Sequence, residues 1–193
     1  MKILKEIGSW LMYIVVAFLI AALLNIFVFQ ITRIQGSSMY PTLKHGELYV
    51  ISKLGNLTNV TPDYEDIVII DSRTARIRTL KDDFSDILKY NAITSLLGGQ
   101  LEDIYWVKRV IGLPGDTIEM RNGVVLRNGE IVAEDYVNKA EHPSYSGTAI
   151  TIPEGYVWVM GDNRNHSTDS RVIGAVPVEN ILGTLQFKIK GAK

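Results

Sequence analysis

From Leu11 to Phe29 the chain is almost unbroken apolar sequence, interrupted by Asn25 alone. About 20 such residues suffice for a helix to cross the hydrocarbon core of a bilayer, so the run predicts a transmembrane anchor over 11–30. The alternative is a cleavable secretion signal, whose apolar stretch is typically about 7 to 15 residues and ends in a small-x-small site. Here the run continues through Asn25-Ile26-Phe27-Val28-Phe29-Gln30, and Ala21 and Ala22 lie inside it. Lys2 and Lys5 precede the segment and Arg33 follows it. This charge balance weakly favours a cytoplasmic N-terminus, which makes residues 1–10 a short cytoplasmic tail. No further stretch approaches spanning length, so 31–193 is predicted to form one domain beyond the membrane.

After the anchor the pattern changes to short β-like runs punctuated by Gly, Pro, Asn and Asp, which predicts a β-rich domain. Between Thr117 and Val132, Asn122-Gly123 and Asn128-Gly129 separate short strands. Asn-Gly supplies the positive φ angles of tight hairpin turns. Further strands are expected at Leu48–Ser52, Asp66–Ile70, Tyr105–Ile111, Tyr156–Met160 and Ile181–Lys190, with a turn at Pro114-Gly115. From Ser72 to Asp103 the spacing of Leu80, Phe84, Ile87, Leu88, Leu96 and Leu97 predicts a helical insertion, closed by Gly98-Gly99. It would pack on the sheet or rest on the membrane surface with Lys81, Asp82, Asp83 and Lys89 on its wet face.

Lys plus Arg total 20 against 21 Asp plus Glu, a formal charge of −1, so nothing points to nucleic acid as a partner. Cysteine is absent, which removes disulfides, thiol nucleophiles and thiolate metal sites together. Gly36-Ser37-Ser38-Met39-Tyr40-Pro41-Thr42-Leu43 is a small-residue turn a few positions beyond the apolar run. A serine hydroxyl there needs a neighbour to take its proton, and His, Lys or a terminal amine can do so. The histidines are His45, His142 and His166, and a triad of Ser38, His166 and Asp169 can be drawn because triads follow geometry and not order. Lys108 offers another base. It sits in Tyr105-Trp106-Val107-Lys108-Arg109-Val110-Ile111-Gly112-Leu113, a segment suited to a buried strand, where desolvation would lower its pKa. The alternative is an amine that snorkels to water from an edge strand. A third segment, Met160 to Arg171, is dense in polar side chains directly after an apolar strand. It reads as a hydrogen-bonded network or a solvated loop, and it lacks the closing Glu of an EF-hand.

Together, Ser38-Met39-x-Pro41-Thr42-Leu43, Lys108-Arg109-x-Ile111-Gly112-Leu113-Pro114-Gly115-Asp116, and Gly161-Asp162-Asn163-Arg164 through Ser167-x-Asp169-Ser170-Arg171 resemble the boxes of bacterial type I signal peptidases, in the same order. The single anchor resembles the shorter Gram-positive form. The resemblance implies a mostly β, antiparallel catalytic domain outside the cytoplasm, and a membrane-bound serine endopeptidase that removes signal peptides from exported preproteins. It implies Ser38 as nucleophile, Lys108 as base and then acid, and Ser167 orienting the amine. Asp162 would pair with Arg109, Asp169 and Arg171 would brace the site, and Ile34, Met39 and Val107 would line the substrate pockets. It implies no metal and no cofactor; the partners are the preproteins and the lipid bilayer.

Two departures stand out. Some members carry a serine hydroxyl two positions before the nucleophile as an oxyanion donor, where this chain has Gly36, and the 72–103 insertion is longer than short members lead one to expect. Two rival readings remain. One is another Ser-Lys peptidase, such as a self-cleaving repressor, against which the apolar run and the third box speak; the other is an inert membrane-anchored binding protein on the same scaffold.

Overall fold

The computed structural model of the chain describes residues 2–55, 60–79, 81–82, 104–137 and 145–189, and within the first helix the side chains of residues 6–20. Helix α1 runs from Lys2 to Phe27, so it takes in residues predicted as a tail and stops short of Gln30. Its described side chains, Trp10 and Phe18 among them, are exposed. Among the described residues, no helix is long and apolar enough to cross a membrane.

The anchor predicted over 11–30 overran a strand. Phe29–Arg33 forms β1, which pairs antiparallel with β2 (Leu48–Ser52) from Phe29↔Ser52 to Arg33↔Leu48. Gln30, Thr32 and Arg33 introduce the polar alternation of a strand, but Phe29 and Ile31 extend the apolar run and hide the boundary.

The remaining strands are β3 (Ile67–Asp71), β4 (Tyr105–Gly112), β5 (Thr117–Arg121), β6 (Val124–Arg127), β7 (Glu130–Ile131), β8 (Gly147–Thr151), β9 (Tyr156–Met160), β10 (Val176–Pro177) and β11 (Ile181–Lys188). They form a seven-stranded sheet in the order β1-β2-β11-β3-β4-β9-β10 and a four-stranded sheet in the order β7-β6-β5-β8. Every pairing is antiparallel. The fold is mostly β. The hairpin turns lie at Asn122-Gly123 and Asn128-Gly129, all four residues with positive φ, as tight turns between right-twisted strands require.

Strand β4 organises the core because its two faces pack against different neighbours. Val110, with Val68, Ile70, Val157, Val159, Val176 and Ile181, fills one cluster, against which Trp106 packs. Ile111 joins Ile118, Met120, Val125, Ile152, Trp158 and Met160 between the sheets. Burying side chains of this size contributes about 1.5–3 kcal/mol each.

The predicted helix does not begin at Ser72. Asp71 accepts hydrogen bonds from Arg73 N, Nε and Nη2 at 3.0, 2.8 and 2.6 Å. Asn180 accepts from Arg78 N at 2.8 Å and donates to the carbonyls of Arg73 and Arg76. These side chains compete successfully with a helical ladder for the same backbone groups. Beyond Ser72, helical backbone is first described at Lys81–Asp82, where the Asp82 carboxylate accepts from Thr79 N and Oγ1 at 2.9 Å and so satisfies a backbone donor at the start of the helix. Leu80 and the stretch 83–103, with Phe84, Ile87, Leu88, Leu96 and Leu97, lie outside the described residues.

Candidate active site

Ser38 lies in the turn after β1, and the turn is fixed from below. Ile34, Met39 and Leu43 are buried together, with Val107 of β4, Ile67, Tyr49 and Leu185 packed against them. Ile34 N donates to Glu47 O at 2.8 Å and Gly46 N to Ile34 O at 2.9 Å, closing the loop. Asn163 holds it from above, donating its N–H to Ser38 O at 2.9 Å and its side-chain amide to Ser37 O at 3.1 Å. Sequence reasoning gave Asn163 no role. Its only signal was its place inside the third box.

Lys108 pairs across the sheet with Val68, two residues along from the Trp106↔Ile70 pair. The alternation of a strand therefore puts its stem on the face of the Val68 and Ile70 cluster, and the residue is only 3% exposed. Its Nζ lies 3.0 Å from Ser38 Oγ. Burial pushes the amine down to about 8, assisted by the Arg171 cation and opposed by Asp169 and Asp162. A cleft of about 280 Å³ opens over this pair, lined by Gly36, Ser37, Trp106, His166 and Thr168 with Ser38 and Lys108.

The third box wraps the pair. Asp162, fully buried, accepts from Arg109 Nε and Nη2 at 2.9 and 2.7 Å, and Thr42 Oγ1 donates to it at 2.5 Å. One carboxylate thus ties β4 to the turn carrying Ser38. Asp169 accepts from Gly161 N at 3.0 Å and from Arg171 Nε and Nη2 at 2.8 Å, and it caps the one-turn helix α2 (Ser170–Ile173). Burial raises its pKa, but Arg171 and the Gly161 N–H outweigh burial and hold the carboxyl below its ordinary value. Asp169 is therefore engaged by Arg171 and Gly161, while His166 stands exposed on the cleft wall.

Ser167 is close behind the turn carrying Ser38. A Cβ on Gly161 would meet Ser167 Oγ at 2.2 Å and Ser38 O at 2.6 Å, so a residue without a side chain is needed at 161 for these segments to approach. Among the described residues Ser167 Oγ is buried and makes no well-formed hydrogen bond, yet it lies near enough to Asp169 to help hold that carboxyl low; it does not bond Lys108 in this structure. Ile34, Met39 and Val107 meet in the apolar cluster beneath the turn, below the residues that line the cleft. Gly36 has φ +84°, a conformation in which a side chain is strained, and its N–H donates to His45 Nδ1 at 3.2 Å. A serine here would find open space but a strained backbone.

Fold and site together define a class: an antiparallel-β protein in which a serine hydroxyl meets a buried lysine amine at an open cleft. Comparison with known proteins specifies it further. Residues 7–190 match the family model described as signal peptidase, peptidase S26. The chain is 35% identical over 175 residues to the probable signal peptidase I-1 of Synechocystis sp., covering 91% of this chain and 78% of that one. It is likewise 35% identical over 188 residues to signal peptidase I T of Bacillus subtilis, covering 93% and 83%. A solved signal peptidase I from Enterococcus faecalis aligns at 29% identity with a TM-score of 0.44, over 65% of this chain and 97% of that one. The chain belongs to the signal peptidase family, peptidase S26, and to its type I members; it is a serine peptidase.

Proposed function

We propose that the chain removes signal peptides from exported preproteins, with Ser38 as nucleophile and Lys108 as general base. The observation that carries this reading is the 3.0 Å approach of a buried lysine amine to a serine hydroxyl. A neutral amine at that distance accepts the hydroxyl proton as Oγ attacks the scissile carbonyl, and the resulting ammonium then protonates the leaving amine. Water attacks the acyl-serine in a second half-reaction, with the same amine as base.

The oxyanion draws on the main-chain N–H of Ser38, since position 36 offers no hydroxyl. One such donor contributes about 3 kcal/mol. Ser167 Oγ, the buried hydroxyl behind the turn, is the acceptor that would orient the Lys108 amine. Asp162 with Arg109 and Asp169 with Arg171 hold the two segments against each other. Pairing of β9 with β4 begins at Arg109, which leaves the edge at Val107 and Lys108 beside the cleft for an extended peptide to join as a strand. The cluster of Ile34, Met39 and Val107 forms the apolar floor beneath that peptide.

Helix α1 is read as the membrane anchor, since its sequence carries the run from Leu11 onward, and the catalytic domain stands on the extracytoplasmic face. A nucleophile about ten residues beyond such an anchor meets substrates whose own apolar segment is still in the bilayer, so proximity replaces a search in solution.

The test is incubation of the full chain in detergent micelles with a secretory preprotein and mapping of the new N-terminus. Cleavage after the apolar segment is expected; an intact preprotein would favour an inert binder. The pH profile follows from the amine. Lys108 accepts a proton only when neutral, so kcat/KM is expected to fall as pH drops through about 8, by about tenfold per unit below it. A rate that stays flat through that range would remove Lys108 as the base.

A further inference from the structure

Three arginines stand on the segments that carry or brace the Ser38 and Lys108 pair, and each has an inner and an outer partner. The inner partners belong to the site itself. Arg109 bonds Asp162, Arg164 Nε donates to Gly161 O at 3.0 Å, and Arg171 bonds Asp169 while its Nη2 also donates to Arg164 O at 2.7 Å. The outer partners all come from one connection, between β7 and β8. Tyr136 stacks on Arg109, with Cζ 4.0 Å from the ring centre. Glu134 pairs with Arg164 through both oxygens, one at 2.8 Å from Nη1. Tyr145 touches two of the arginines: its hydroxyl accepts from Arg164 Nη1 at 2.6 Å and its ring centre lies 4.7 Å from Arg171 Cζ.

The connection is itself anchored. Tyr136 and Tyr145 pack against the cluster between the two sheets, and Tyr136 Oη donates to Glu134 Oε1 at 3.2 Å. Arg164 is 3% exposed, so a guanidinium this deep requires the carboxylate. The small sheet thus reaches the reaction centre through three side chains, none of which lines the cleft.

We propose that Glu134, Tyr136 and Tyr145 are positioning residues for the reaction: they hold the outer faces of Arg109, Arg164 and Arg171 and so fix where the Lys108 amine meets Ser38 and which charges surround it. This rests on the reading of Lys108 as the base.

The charged groups acting on that amine are Asp169, Arg171 and Asp162, all from the segment after β9. Ser38 meets it from the turn after β1, His166 shares the cleft wall, and Trp106 of its own strand lies 5.5 Å away. Arg171 disfavours the ammonium while Asp169 and Asp162 favour it. If Arg171 loses the ring beneath it and drifts, its repulsion weakens and Asp169 acts with less opposition. Both changes keep Lys108 protonated to higher pH, so the acid limb of the rate profile moves up.

The experiment measures kcat and KM of the full chain in detergent against a preprotein, across the acid limb, with thermal unfolding as a control. Tyr145→Leu is expected to move the acid limb up by about half a pH unit and to lower kcat about tenfold, with KM within about twofold. Tyr145→Phe keeps the ring under Arg171 and is expected to restore the limb. Tyr136→Leu and Glu134→Gln are expected to lower kcat without changing KM, which gives a second reading should Tyr145→Leu fail to fold. A folded Tyr145→Leu enzyme with an unmoved limb and unchanged kcat, alongside an inactive Lys108→Ala enzyme, would overturn the positioning role alone. Full activity in Lys108→Ala would overturn both this role and the base assignment on which it rests.

Discussion

Ser38→Ala and Lys108→Ala are each expected to lower kcat for preprotein cleavage by at least about a thousandfold, the scale of losing a nucleophile or its general base. The double variant is expected to be no slower than either single one, because a nucleophile and its base act as one unit. Neither change should unfold the domain. Ser38 sits in a turn held by Asn163 and by the cluster of Ile34, Met39 and Leu43, and removing the buried Lys108 amine removes a group that burial disfavours when charged. His166→Ala is the control: the imidazole is exposed on the cleft wall, and activity within about tenfold of wild type is expected. Turnover of preprotein by Lys108→Ala at the wild-type rate, or its loss in His166→Ala alone, would transfer the role of base to the histidine.

Asp162→Ala is expected to destabilise the domain by about 3–5 kcal/mol, the scale of stranding one member of a buried ion pair. The carboxylate is fully buried and Arg109 is 7% exposed, so removal leaves a guanidinium with neither water nor anion. Thr42 loses its acceptor in the same step, which removes one of the ties between the turn carrying Ser38 and β4. Chemical denaturation followed by fluorescence reads the effect as a lower midpoint at unchanged slope. Replacing Arg109 in the same chain should return part of the loss, since the stranded charge is then absent. A midpoint equal to that of the wild type would mean that water or another group compensates Arg109, and the bridge between the turn and the strand would lose its assigned importance.

Local patterns account for much of what was readable. The strands around 48–52, 67–71, 105–112, 156–160 and 181–188 follow from short apolar runs bounded by turn residues, and both Asn-Gly hairpins follow from the positive φ that those residues tolerate. β8 was missed because Gly147-Thr148-Ala149-Ile150-Thr151 is exposed throughout and carries no inside-outside alternation. The start of the insertion was misplaced because apolar spacing cannot register that Asp71 and Asn180, the latter about a hundred residues away, take the backbone groups of 73–78. Asn163, Thr42 and Glu134 were silent for a similar reason, since their partners are distant in the chain.

The sequence alone determined the candidate chemistry of this protein: without cysteine, a serine in a small-residue turn needed a basic partner, and Lys108 lay in a strand apolar enough to desolvate it. What it left open was whether that amine snorkels to water or turns inward. The tertiary structure decided this, because the pairing of Lys108 with Val68 and Trp106 with Ile70 places the stem over a buried cluster, and the turn carrying Ser38, 70 residues earlier, closes onto its tip. Strand register and the packing of one sheet face against a distant loop are properties of the folded whole. No window of neighbouring residues contains them.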